Sequence, residues 1–462
     1  VFGVAPMGGL IDLQTSDTPK PTLKVGWGDW KTVRIQGASG GEHWFAATDI
    51  FKTKGDFSYF SNQQTPFNPN DDGVFRRDNQ AKFQWSGHGR TVVDTGAWRW
   101  TFQDTALWRQ EGLPGPISRP AKEGSLRTGR NIAQLSVDRR QTSGSFWGRL
   151  HHIIRSEQYG DPEGELGVGE QKQTDSAQTF GVNIGGFWTP SSVAQTHFNL
   201  RLRGEQLHRK TPEVERAPFL FSRVVLAGQV EVPLFLLKDR LSLRPGVSGT
   251  WTEGSPFGWA PQLAVRLKVT PDWSVWTSFG RGYRLPDVWE LYGDRGNTVG
   301  NPDLNPESGW RGDLGISSRG RFAKTSETEW SLVGFAKRDT DRIIYIQNAT
   351  TTMVPVNFGE TRALGVEMGF TLNIEDLVSL QGQATLNWTT NLDPRDALFG
   401  NQLPRTPLFA GTAQAAIKPV PFLHFGVGAS FTAGNYWDAT NWYLSAPRNL
   451  QSGWIRWIPA DG

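Results

Sequence analysis

The sequence contains no cysteine. That removes disulfide frameworks, thiolate metal sites and cysteine nucleophiles at once. Long hydrophobic runs are missing too. No stretch approaches the roughly 18 apolar residues that a membrane-spanning helix requires. Charge of one sign is scarce: 48 basic against 45 acidic residues leave a net +3, too small to point to nucleic acid. No fixed-period repeat with a recurring blade motif is present, which argues against a propeller. No His-Glu-x-x-His occurs. The chain begins at Val1, with neither Met nor a signal peptide. We read this as a segment lying upstream, not as a sign of the cytoplasm.

What is abundant is glycine, 53 residues, and tryptophan, 21, in a chain of 462 residues that is only 37% hydrophobic. The length exceeds that of an ordinary soluble domain. Both a soluble β protein and a membrane barrel fit this composition, since only the outward half of a barrel strand must be apolar. Aromatic residues are expected at the two interfaces of such a barrel.

Alternation with a period of two runs through the chain. Leu263, Val265, Leu267 and Val269 alternate with Ala264, Arg266 and Lys268. Phe198, Leu200 and Leu202 alternate with Asn199, Arg201 and Arg203, and Phe425, Val427, Ala429 and Phe431 with Gly426, Gly428 and Ser430. Such strands place apolar side chains on one face and polar ones on the other. Turn signals are expected at Asp29-Trp30, Gly40-Gly41, Gly87-His88-Gly89, Ser143-Gly144, Pro190-Ser191, Lys238-Asp239, Pro271-Asp272, Arg319-Gly320, Glu375-Asp376, Pro419-Val420 and Pro459-Ala460. Long polar segments lie between them at 52–79, 105–130, 155–175, 205–217, 281–307, 338–360 and 389–405. Short turns on one side and long loops on the other are the asymmetry of an outer-membrane barrel. The turns imply an all-β, transmembrane antiparallel β-barrel with about 20 strands.

One segment carries more than pattern. Arg284, Pro286, Glu290, Leu291 and Tyr292 are followed by Gly300, Asn301, Pro302, Leu304, Pro306 and Glu307. This double element closely resembles the signature of TonB-dependent outer-membrane receptors. Asn357-Phe358-Gly359-Glu360 with Leu364-Gly365-Val366-Glu367, and Leu403-Pro404-Arg405-Thr406-Pro407 with Asn441 and Pro447-Arg448, resemble later passages of that family. Residues 1–13, rich in glycine, resemble the end of its plug domain. The resemblance implies a plug end over 1–20 and a barrel over 21–462. The family closes its barrel with 22 strands, so the last hairpin is expected beyond residue 462. The resemblance also implies uptake of a scarce nutrient, most often a ferric siderophore. Cobalamin, haem or oligosaccharide are the alternatives within the family, and a passive porin is the alternative outside it. The expected partners are outer-membrane lipid and lipopolysaccharide, the inner-membrane TonB complex and the nutrient ligand; no cofactor and no nucleic acid are expected.

Enzymatic chemistry finds little footing. Gly37-Ala38-Ser39-Gly40-Gly41 matches a nucleophile elbow in letters, but a turn between strands follows it, not a helix. His151 and His152 are adjacent in a strand and point to opposite faces, a poor arrangement for joint metal ligation. Asp71 and Asp72, with Asp56 and Asp78 nearby, are a candidate loop Ca²⁺ site, the rival reading being a solvated loop. Glu290, Glu307, Asp313 and Glu367 are candidate lumen carboxylates able to pair with the plug. At Asp313 the family usually has Glu. Arg284, Tyr292, Arg338, Tyr345 and Tyr436 are candidate ligand contacts, by stacking or by attraction to an anionic chelate. For Arg284, its place in the signature favours a structural role.

Overall fold

The computed structural model describes residues 21–61, 69–115, 120–167, 169–210, 219–323, 325–347, 352–394 and 397–458. The plug-like start and the turn expected at Pro459-Ala460 lie outside these residues.

One antiparallel sheet of 23 strands dominates the chain. Three of its strands are short, Leu234–Leu236, Asp294–Arg295 and Thr298–Val299. The other twenty follow one another in sequence, from Thr22–Gly28 to Arg448–Trp457, each hydrogen-bonded to its chain neighbours. The expected count of about twenty is therefore met. Among the described residues, the first strand pairs only with Thr32–Gly40 and the last only with Leu423–Ala433.

The two faces separate as the alternation predicts. Leu263, Val265 and Leu267 stand in register with Pro245, Leu243 and Leu241 on one side, and with Phe279, Thr277 and Val275 on the other. This outward row is apolar apart from a threonine. The intervening Ala264, Arg266 and Lys268 line a cavity of about 1010 Å³ with Arg244, Asp313 and Glu329. An ionised side chain on the lipid face near the midplane would cost about 2–4 kcal/mol. Outward tryptophans form two belts. Trp44, Trp98, Trp188 and Trp273 mark one end, and Trp85, Trp108, Trp251, Trp259, Trp310 and Trp388 the other. Trp310 stacks on Phe279 at 5.1 Å, and Trp273 meets Trp330 edge-on at 5.1 Å.

Connections alternate between the two ends. One end has tight turns at 41–43, 96–97, 142–143, 192–193, 237–240, 269–272, 375–377 and 421–422. The other carries the long connections 54–81, 113–124, 162–170, 285–306, 392–408 and 434–447, together with two short ones at 29–31 and 253–257. Two expected turns were misplaced. Gly87-His88-Gly89 lies inside the strand Lys82–Thr95, and Arg319-Gly320 inside Glu307–Ala323. At Gly87 the missing side chain leaves room for the Trp85 indole, 3.0 Å from where a Cβ would stand. Gly96, with φ of +61°, makes the turn that ends this strand. The long polar segments are also shorter as loops than expected. Ser326–Gln347 and Met353–Ile374 are 22-residue strands that continue through much of 338–360. Their polar residues pair in the ladder beyond the tryptophan belt.

Candidate functional site: the loop end of the lumen

The signature segment builds this site. The strand Trp273–Arg284 ends on Arg284, and Asp287 then caps the short helix Val288–Tyr292. The Asp287 side chain accepts from the Trp289 and Glu290 amides at 2.7 and 2.8 Å. Glu290 reaches back to accept from the Asp287 amide at 2.8 Å, completing a capping box. Arg284 binds both carboxylates of the signature. Its Nε donates to Glu307 at 2.7 Å, and its two terminal nitrogens donate to Glu290 at 2.8 and 3.0 Å. Glu307 also accepts from the Ile343 amide at 2.7 Å. Burial by itself would raise the Glu307 pKa; the Arg284 guanidinium outweighs it and holds the carboxyl below its usual range. The two carboxylates in turn push Arg284 up against the opposing effect of burial.

Past the helix, the chain leans on a distant part of the wall. The Tyr292 ring packs on Phe219 and Phe221 at 5.1 and 4.5 Å. Arg209 donates to the Tyr292 carbonyl at 2.7 Å and to Asp175 at 2.9 Å. Arg223 donates to the Pro286 carbonyl at 2.8 Å and pairs with Glu205 at 2.5 Å. Gln173 donates to the Asp294 carbonyl at 2.6 Å, Gln171 exchanges bonds with Gly296, and Arg295 reaches Glu157 at 3.1 Å. On its other flank the segment is tied to Met353–Ile374. Met353 donates its amide to the Asn297 carbonyl at 2.6 Å, and Asn301 donates to the Pro355 carbonyl at 3.1 Å. Asn357 bonds both ways with Asn305. Residues 285–306 are thus a clasp joining strands far apart in the sheet.

A second locked unit joins the last two long loops. Gln402 donates its amide to Asn441 Oδ1 at 2.7 Å, and Asn441 Nδ2 donates back to the Gln402 carbonyl at 2.9 Å. Asp438 accepts from Thr440 Oγ1 and from the Tyr443 and Trp442 amides, which hold its carboxyl below the usual range. On this braced loop Trp442 is 83% exposed, and Trp437 and Tyr443 are also exposed.

The sequence candidates fall into distinct settings. Arg284, Glu290 and Glu307 form one network, and Tyr345 lies close enough for Glu290 to raise its pKa further after burial has done so. Tyr292 is packed in the clasp. Arg338 is salt-bridged to Glu360 and shares the outward register of Trp310. Tyr436 bridges to Leu444 beside the exposed aromatics. Asp313 lies on the lumen register and accepts from Ser278, while Glu367 shares that register, exposed to the lumen. Asp71 ends a short 3-10 turn and Asp72 follows it. Asp56 pairs with Lys54 and Arg76, and Asp78 with Arg76. Among the described residues, no group of three or more His, Asp or Glu converges as a metal site. Sequence reading missed Arg209, Arg223, Arg295, Asp175 and Glu157. Alternation marks the four on long strands as lumen-facing, and Arg295 lies in the clasp, but nothing local names their partners.

A family model described as TonB dependent receptor-like, beta-barrel matches residues 13–458. No match was found among curated protein sequences. Among solved structures, the copper transporter OprC superposes with a TM-score of 0.72 at 11% identity, covering 97% of this chain and 73% of that one. The FrpB iron transporter from Neisseria meningitidis gives 0.70 at 13%, covering 95% and 73%. The siderophore receptor PirA from Acinetobacter baumannii gives 0.68 at 12%, covering 92% and 70%. At these identities the likeness is one of fold.

Proposed function

The chain belongs to the TonB-dependent receptor β-barrel family, and we propose that it is an outer-membrane receptor of a Gram-negative bacterium for active uptake of a scarce nutrient. A ferric siderophore is the first candidate. The observation that carries this reading is the family match across nearly the whole chain, with the clasp at the loop end of its lumen. The names of the similar structures add support, since they include a siderophore receptor, an iron transporter and a copper transporter. Trp437, Trp442 and Tyr443 offer a braced aromatic platform on which a flat ligand can stack. Cobalamin, haem and oligosaccharide would use the same platform.

In this reading the ligand binds at the loop end. The inner-membrane TonB complex acts from the turn end through a plug, and the barrel carries out no covalent chemistry. Asp313 and Glu367 face the lumen, where plug arginines can pair with them. Lipopolysaccharide surrounds the outer rim. The test is ligand uptake at low ligand concentration, in cells with and without the coupling system. Uptake that depends on coupling is expected. Equal uptake in both, or unselective conductance in a planar bilayer, would establish a passive porin instead.

A further inference from the structure

The outward wall is not uniform. On the strand Trp98–Gly112 the outward register reads Trp98, Trp100, Phe102, Asp104, Ala106, Trp108. Asp104 therefore stands six residues from Trp98 and four from Trp108, between the two tryptophan belts. It accepts two bonds from Asn131 Nδ2, at 3.1 and 3.0 Å, on the next strand of the same face. On its own ladder row, Asp104 is flanked by Gly89 and Ala133, and His152 follows Ala133. An acid, a carboxamide and an imidazole thus share one outward patch at membrane depth. Nothing comparable occurs on the outward rows of 241–279, which are apolar apart from Thr277.

The floor around these groups is low. A Cβ built at Gly89, or at Gly129 two residues from Asn131, would meet nothing within 4 Å. Among the described residues, no contact requires glycine there, although glycine weakens a strand and often marks close approach of another backbone.

Lipid tails offer no hydrogen bonds to such groups, and lipid headgroups lie too far away along the barrel axis. We propose that this face is an interface between two copies of the chain, related by a twofold axis along the membrane normal. This inference rests on the membrane-barrel reading above. A second copy fits because the patch is self-complementary. It brings the partner's donors, Asn131 and His152, towards Asp104, and the partner's Asp104 towards the donors of the first copy, as an isologous contact does. A second copy also carries its own polar patch at the same depth, since the same tryptophan belts set its height in the bilayer. The small residues let the two walls approach closely enough for the polar groups to meet.

The absence of native cysteine makes the test direct. Ala133→Cys and Gly89→Cys are introduced singly into the protein in native outer membranes. Val427→Cys, outward on the strand Leu423–Ala433, is the control. A membrane-permeant oxidant is then added. We expect a species of twice the chain mass from Ala133→Cys and Gly89→Cys, and none from Val427→Cys. Adding Asp104→Ala to Ala133→Cys should lower the dimer yield about tenfold, the loss of one or two hydrogen bonds in a desolvated contact. The heat-resistant gel mobility of the folded barrel should be unchanged. Monomer at all three positions, equal dimer at all three, or an adduct of any other mass would overturn the proposal. So would a fall in barrel stability with Asp104→Ala at unchanged dimer yield. Nutrient uptake plays no part in these readouts, so failure of the receptor reading would show separately.

Discussion

The two ends of the lumen use the same side chains to opposite effect. At the loop end, Arg209 and Asp175 pair at 2.9 Å with side chains only 11% and 4% exposed. At the turn end, Arg319 and Glu329 come no closer than 3.8 Å and are 83% and 62% exposed. Arg321 and Glu327 are similar. A barrel with a polar lumen has no oily centre to hold it. Its hold comes from the ladder and from whichever charge pairs are desolvated. Desolvated pairs punish the loss of one partner heavily, whereas solvated ones hardly register. The loop end is therefore fastened, and the turn end keeps its charges wet and available.

The sharpest way to break this contrast is Arg209→Ala. It leaves Asp175 buried without its cation and releases the Tyr292 carbonyl. We expect a loss of about 3–5 kcal/mol in denaturant unfolding of the micelle-bound barrel. A loss below about 1 kcal/mol would mean that the clasp adds little. Arg284→Ala comes next. Its guanidinium is a third exposed, so a smaller loss of about 1.5–3 kcal/mol is expected. Limited proteolysis should then cut within 285–306 before any other strand connection.

Acid sharpens the same point. The carboxyl of Glu307 titrates below its ordinary value in the folded protein. Its contribution is therefore present above the unfolded value, about 4.3, and is lost as pH falls through the lower folded value. The stability difference between the native chain and Glu307→Gln should stay flat from neutral pH to about 5 and shrink below it. A difference growing on acidification would reverse the assignment. The smallest effect belongs to the turn end, where Arg319→Ala should change unfolding by less than about 0.5 kcal/mol.

Much of the fold was legible because a barrel writes itself locally. Every other residue on a strand meets lipid, so Leu263, Val265 and Leu267 announce their face without knowledge of their neighbours. Turns were less legible, because glycine has two uses. At Gly96 it takes a positive φ between strands, and at Gly87 it makes room for an indole. The doublet Gly87-Gly89 reads as a turn in the sequence and lies inside a strand. Within the site, Arg284 and Glu307 stood in a motif and could be named together. Arg295 and Glu157 lie 138 residues apart in sequence, and nothing short-range joins them. Their meeting depends on where the sheet carries each strand.

The number of spanning strands has a practical consequence. Because it is even, the chain comes back to the end it set out from. Thr22 and Trp457 both lie at the turn end, across the wall from every long connection. On the outer-membrane reading proposed above, a reporter fused near either of these points would be hidden from an antibody added to whole cells. An epitope spliced into 392–408 or 434–447 would be on display. Anyone labelling this protein must therefore choose the compartment first, and the residue afterwards.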